Sequence, residues 1–304
     1  MQIGSQYIAV VEDLVGRWLG GAVRHLDAEA VHSARQNRRY LKHRLETPQG
    51  GEILAFSKGG DAFRINDRLE VFLSGVASDA FAVPKFFGCA ETGESKIAVW
   101  SYAAGERVKR FHQLARADLC RVVRAVGAMN ALTEEANRQV PNIRLRDVDV
   151  VGADRLKPAL EEFDNAASRL LLPMAAQYEL VEEQTRRRLG DIKQRFFSHQ
   201  DIVARNILFP APDRPPIFID WENASLAVPG SCLRHFCLLD LPLQKEVAAH
   251  YVAFMAEEGH RLNLDDVLFV MGAAQIQASL RQGIKRRKIR LVRWALGAVK
   301  TYLQ

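Results

Sequence analysis

One stretch of about twenty-five residues constrains this chain more than any other. It reads Phe197-Ser-His199-Gln-Asp201-Ile-Val-Ala-Arg205-Asn206-Ile-Leu-Phe209, then a proline-rich turn from Pro210 to Pro216, then Ile217-Phe-Ile-Asp220-Trp221-Glu222. The apolar runs Ile207–Phe209 and Ile217–Ile219 have strand character, and the prolines between them force a turn. A hairpin there returns Asp220 to the neighbourhood of Asp201 and Asn206. Phosphoryl transfer from a nucleotide requires a carboxylate near the attacking hydroxyl and further oxygen ligands that hold Mg²⁺ against the phosphates. Asp201, Asn206 and Asp220 supply those three groups. The competing reading is a surface loop whose three polar residues never meet.

The rest of the chain changes character near Gly105. Tyr7, Val10, Val11, Leu14 and Trp18 recur at helical spacing and are followed by Gly20-Gly21, which predicts an opening helix with a glycine stop. Tyr40–Leu45 and Glu52–Lys58 read as a hairpin around Pro48, Gly50 and Gly51. Further strands are expected over Phe81–Phe87 and Lys96–Tyr102, joined by Gly88–Glu94, with a helix over Asp67–Leu73. Beyond Gly105, helical periodicity dominates 107–138 and 156–190 and resumes from about Leu233. The chain carries no internal repeat and no low-complexity segment.

The Asp201 and Asp220 segments resemble the catalytic and metal loops of the aminoglycoside phosphotransferase and choline kinase-like family, whose fold is related to that of protein kinases. Ala204-Arg205-Asn206 also echoes the catalytic loop of tyrosine kinases, whereas Asp220-Trp221-Glu222 stands where a protein kinase has Asp-Phe-Gly. The resemblance implies an α+β, protein-kinase-like two-lobe fold. Residues 1–105 form a small, mainly β nucleotide-binding lobe with a leading helix, and residues 106–304 a larger, mainly helical lobe. It implies ATP and Mg²⁺ as cofactors, Asp201 as catalytic base, Asn206 and Asp220 as Mg²⁺ ligands, His199 as a support of the loop, and Arg205 as a further residue of the catalytic loop. Gln200 departs from the small residue or Asn usual in the family.

Such a fold also requires a lysine for the phosphates and a helical glutamate to orient it. Lys58 at the end of its strand and Glu70, twelve residues later, are the candidates, with Lys42 on the neighbouring strand as an alternative lysine. Ser33–Tyr40 is the expected phosphate-covering turn, although it lacks glycine; Arg35, Arg38 and Arg39 could add charge there or form a solvated face. Ile97–Gly105, including Tyr102, resembles the hinge that meets adenine through its backbone. The family usually places an Asp downstream of the metal-binding strand to brace the catalytic loop. Pro229–Phe236 occupies that region without an acid.

Charge is distributed unevenly. The chain has a net charge of +6, but residues 281–304 carry Arg281, Lys285, Arg286, Arg287, Lys288, Arg290, Arg293 and Lys300 and no acid, so the remainder is net acidic. In the same segment Ile289, Val292, Leu296, Val299 and Leu303 form an apolar stripe. This predicts either a terminal helix packed on the helical lobe or a surface that meets anionic lipid head groups. Nucleic acid fits less well, because stacking aromatics are few there. Four cysteines without a zinc-type spacing, no secretory leader and no apolar run of ~20 residues place the protein in the cytoplasm, possible contact with the inner membrane face being peripheral.

The acceptor side is cationic. Arg205 lies in the catalytic loop, Arg110, Arg116, Arg121 and Arg124 line the preceding helical region, and no acidic cluster is evident near the loop. A cationic drug or choline requires compensating acidic or aromatic walls. The expected acceptor is therefore a hydroxyl of a small molecule, a sugar, a phosphorylated metabolite or an envelope glycolipid of the lipopolysaccharide-core type. The alternative is a pseudokinase or adaptor that binds a partner or an anionic surface through its basic C-terminal helix.

Overall fold

The computed structural model describes residues 4–31, 38–60, 65–92 and 95–303. They group into two compact units. The first comprises 1–107, 138–141 and 206–222; the second comprises 108–137, 142–205 and 223–304.

In the first unit, helix α1 (Ser5–Leu19) ends at Gly20, whose left-handed φ of 73° is the conformation the predicted glycine stop requires. Strands β1 (Arg24–Ala30), β2 (Arg38–Glu46) and β3 (Glu52–Gly60) follow. Helix α2 (Asp67–Gly75) comes next, then β4 (Phe86–Thr92), β5 (Ser95–Ser101) and the short β6 (Glu106–Arg107). The antiparallel sheet runs β1-β2-β3-β5-β4. Strand alternation places Ala55 and Ser57 against α1, where Tyr7, Val11, Leu14 and Val15 meet Leu41, Leu45, Ile97 and Val99 in one core. The neighbouring Lys58 therefore points to the opposite face. A buried polar network fixes its strand: Tyr7 Oη lies 2.8 Å and His43 Nε2 2.7 Å from Ser57 Oγ.

One expected strand is shifted here, and one strand was not expected. The strand expected at Phe81–Phe87 begins only at Phe86 and runs through the residues assigned to a connection. Pro84 lacks the N–H a ladder needs, and Ala82 instead bridges to Ile217. Strand β1 lies at the sheet edge and is mostly exposed, so its residues carry little apolar alternation to read. Of the expected phosphate-covering turn, Ser33–Asn37 lies outside the described residues.

The second unit contains α3 (Arg116–Ala131), α4 (Thr133–Gln139, whose end joins the first unit), β7 (Leu145–Arg146), α5 (Ala153–Glu161), α6 (Asn165–Asp191) and β8 (Phe196–Ser198). The chain then returns to the first unit as β9 (Ile207–Phe209) and β10 (Ile217–Phe218). β11 (Ser225–Ala227), α7 (Leu241–Glu257), α8 (Leu264–Lys285), α9 (Ile289–Gly297) and α10 (Val299–Tyr302) complete the second unit. The segment 206–222, placed with residues 106–304 in the sequence reading, groups with the β unit because β9 pairs with β6 and Phe218 N donates to Ala82 O.

The C-terminal apolar stripe is spent internally. Val292, Leu296, Val299 and Leu303 are buried in the same core as Leu171, Tyr178, Ile276 and Leu280. This is the packed terminal helix of the two expectations. Arg290, Arg293 and Lys300 remain exposed, and among the described residues no helix is long and apolar enough to cross a membrane.

Candidate active site

The predicted hairpin forms. Ile207 pairs with Phe218 and Leu208 with Ile217, and Ile219 N donates to Asn206 O at 3.0 Å. That register sets Asn206 beside the strand end from which Asp220 projects. Asp220 has a φ of 67°, an uncommon conformation for a residue with a side chain. Its carboxylate remains about half exposed. Trp221 Nε1 donates to Phe218 O at 3.0 Å and fixes the turn that carries Glu222.

Lys58 meets this hairpin within the first unit. Its ammonium lies 3.5 Å from Asp220 Oδ1, is also paired with Glu222 Oε1, and stands 5.7 Å from the Tyr40 ring centroid. The lysine side chain is only 7% exposed, so its charge is balanced by carboxylates rather than by bulk water. Lys42, the alternative lysine, is instead engaged by Glu29 at 2.7 Å and covers the Tyr102 ring at 5.0 Å. Tyr102 N donates to Leu54 O, which ties the expected hinge to β3.

Glu70 lies in the first turn of α2, where Asn66 caps the helix by accepting from Leu69 N. Its carboxylate accepts from Trp100 Nε1 at 2.9 Å. Burial pushes Glu70 up to about 7, while the indole hydrogen bond and Lys58 pull in the opposite direction. Lys58 and Glu70 thus share one electrostatic neighbourhood, although the direct carboxylate contacts of Lys58 given above are to Asp220 and Glu222. Glu222 and Trp100 were not singled out from the sequence. The Asp-Trp-Glu motif carried the first in plain sight, and nothing local marked the second.

The second unit holds Asp201, His199 and Arg205. Strand β8, which leads into this loop, is anchored at both backbone groups of Phe197: Asn130 Nδ2 donates to its carbonyl at 2.6 Å, and Thr133 Oγ1 accepts from its N–H at 2.8 Å. Tyr251 Oη donates to Asn130 Oδ1 at 2.6 Å, and both residues are buried. His199 is fully buried, and its Nδ1 accepts from Asp201 N at 3.3 Å. His199 thereby contacts the backbone of the loop that carries Asp201. Gln200, between them, has a φ of 62°. Positions of this kind are retained where the surroundings hold them.

Asp201 faces two guanidinium groups and an imidazole. Arg234 Nη2 lies 3.7 Å and Arg205 Nη2 3.9 Å away, and His235 Nε2 is at 4.0 Å. Arg234 and His235 come from the acid-free segment in which a bracing Asp was sought, within a 3-10 helix over Ser231–Leu238. Burial and the two arginines push His235 down to about 3, so the imidazole is neutral at ordinary pH. Arg234 and His235 could not be identified from sequence, because they pack on the loop from more than thirty residues away.

The donor set of the first unit fits a divalent cation. Asp220, Glu222 and the Asn206 amide are hard oxygen ligands of the kind Mg²⁺ takes, and two carboxylates around one ammonium leave net negative charge. A second group of ligating side chains, Cys120, Glu246 and His250, lies in the second unit, where Arg116 already occupies the carboxylate at 2.5 Å.

The chain matches the phosphotransferase enzyme family over residues 27–254 and belongs to it. No curated protein sequence matches the chain. Among solved structures, a spectinomycin phosphotransferase bound to ADP and spectinomycin is 12% identical with a TM-score of 0.55, over 96% of this chain and 94% of that one. A putative aminoglycoside phosphotransferase from Ralstonia eutropha is 13% identical with a TM-score of 0.58, over 96% and 99%. A choline kinase from Cryptosporidium parvum is 12% identical with a TM-score of 0.54, over 90% of each chain. The fold is thus the α+β kinase-like fold of aminoglycoside phosphotransferases and choline kinases.

Proposed function

We propose that this protein is an ATP-dependent phosphotransferase that moves the γ-phosphate to a hydroxyl of a small molecule, sugar or glycolipid. The observation that carries the reading is the cluster of Lys58, Asp220, Glu222 and Asn206 at the end of the β9–β10 hairpin. With Mg²⁺ bound by Asn206 and Asp220, the metal would neutralise phosphate charge. Lys58 then exchanges its carboxylate partners for nucleotide phosphate oxygens, and Glu70 orients it. Asp201 orients the acceptor hydroxyl and takes its proton as the oxygen–phosphorus bond forms and the bond from the γ-phosphorus to the departing ADP breaks, with His199 holding the loop. Arg205 offers positive charge to the transferred phosphoryl group.

Spectinomycin and ADP in the structural relative support a nucleotide-plus-small-molecule pairing. The protein would act in the cytoplasm. The exposed basic residues Arg286, Arg287 and Lys288 allow an electrostatic contact with anionic head groups that does not require the buried stripe. Continuous measurement of ADP formation from ATP tests the activity. Formation that requires Mg²⁺ and is abolished by EDTA supports it, and ADP formation indistinguishable from a buffer blank contradicts it.

A further inference from the structure

A small cavity beside the catalytic loop is built for negative charge. Its volume is about 130 Å³, and it lies wholly in the second unit. Arg146, Arg234, Arg281, Gln200 and Ser231 contribute to its wall. Gln200 immediately precedes Asp201, and Arg234 reaches the Asp201 carboxylate at 3.7 Å, so the cavity adjoins the proposed base.

Of the acids nearby, Asp147 is held by Arg195 at 2.6 Å, while Asp149 pairs with Arg281 at 3.2 Å and Asp201 with Arg234 at 3.7 Å. Arg234 is the most enclosed of the three arginines, its side chain being 14% exposed, and its Nε has no hydrogen-bond partner among the described residues. Burial first, and then the neighbouring arginines Arg281 and Arg144, pull Arg146 below its usual range, while Asp201 acts in the opposite direction. Gln200 Nε2 donates to Ser231 Oγ at 3.2 Å, which leaves the serine hydroxyl hydrogen free to donate elsewhere. Three guanidinium groups against two carboxylates, Asp149 and Asp201, leave a surplus positive charge beside the serine hydroxyl, which matches a phosphate or carboxylate group. A polycation there would lose hydration without gaining a counter-charge.

We infer that the acceptor is an anionic molecule whose phosphate or carboxylate group is held by Arg146, Arg234 and Arg281 while its hydroxyl lies at Asp201. This rests on the phosphotransferase reading for the role of Asp201, but the anion site itself does not.

The test is calorimetric titration at low ionic strength, without nucleotide, using inorganic phosphate, glucose 6-phosphate, glucose and glucosamine. Glucose 6-phosphate should bind at least roughly tenfold more tightly than glucose or glucosamine. The double variant R146Q/R281Q should lose a further factor on the order of tenfold or more for both phosphates. Should that variant not fold, phenylglyoxal modification of the wild type reads the same site: phosphate should protect Arg146, Arg234 and Arg281 selectively. Equal affinity for glucose and its phosphate, unchanged phosphate binding in the folded double variant, or uniform protection of all arginines would each overturn the inference. Loss of the phosphotransferase reading would show separately, as absent Mg²⁺-dependent ADP formation with phosphate binding intact.

Discussion

The two units handle charge in opposite ways. In the first, one buried ammonium, Lys58, sits among Asp220, Glu222 and the nearby Glu70. In the second, one carboxylate, Asp201, sits among Arg205, Arg234 and the neutral His235. A cluster with surplus carboxylate suits a metal cation that accompanies polyphosphate, while a cluster with surplus guanidinium suits an anionic acceptor. The contrast teaches that similar polar residue types present opposite charge, because what is left over after internal pairing differs in sign between the two clusters.

Substitutions at the two centres should therefore fail differently. The largest effect is expected for Asp201→Asn, which keeps size and removes charge. Turnover, read as ADP formation, should fall by roughly 10²-fold or more while Mg²⁺–ATP affinity stays near wild type. Asp220→Asn should instead weaken Mg²⁺–ATP binding itself, because a metal ligand is lost. Titration calorimetry of both variants breaks the comparison if they lose binding and turnover in the same proportion.

Lys58→Met comes next. It leaves Asp220 and Glu222 without their ammonium and removes the proposed phosphate contact, so ATP affinity should drop by about tenfold or more. Unchanged nucleotide binding in this variant would transfer the role to another lysine.

Tyr251→Phe probes the support of the second centre alone. It orphans Asn130 Oδ1 in a buried site and should cost about 1–3 kcal/mol in chemical denaturation. Nucleotide affinity should hold, since no residue of the first cluster is touched.

The pH effects are spread over several pH units, and Glu70 and His235 differ in sign. Glu70 binds its proton more tightly in the native state than in the unfolded chain. Its contribution to stability is therefore lost as pH rises from about 4.5 to about 7. His235 resists protonation when folded, so its contribution is lost as pH falls from 6.5 toward about 3. Each slope is at most about 1.4 kcal/mol per pH unit. Stability curves of Glu70→Gln and His235→Asn should flatten on opposite limbs. The acid limb is reduced rather than abolished in the histidine variant, because His43, pushed down to about 4 by burial, acts in the same direction.

Much of the first unit was readable because its determinants are local. The α1 periodicity with its Gly20 stop, the β2–β3 hairpin ending at Lys58, and the proline-bounded hairpin carrying Asn206 and Asp220 are written within a few residues of each other. Where the local pattern was weak, as in the exposed edge strand β1, or misleading, as in the apolar residues around Pro84, the reading missed or shifted an element. The surroundings of Asp201 were illegible for another reason. Asn130 meets Phe197 across 67 residues, and Tyr251 meets Asn130 across 121, so no window of sequence contains both partners. The missing downstream acid was visible as an absence, but only the folded chain places Arg234 and His235 by Asp201.

The most direct test of the account is thermal unfolding of the wild-type protein with ATP, in Mg²⁺ and in EDTA. A ligand that binds only the native state raises the midpoint by mass action. The account predicts a clear rise with ATP and Mg²⁺ together, a much smaller one with ATP in EDTA, and loss of the Mg²⁺-dependent increment in Asp220→Asn. A midpoint that ATP leaves unmoved, or moves equally with and without the metal, would contradict it.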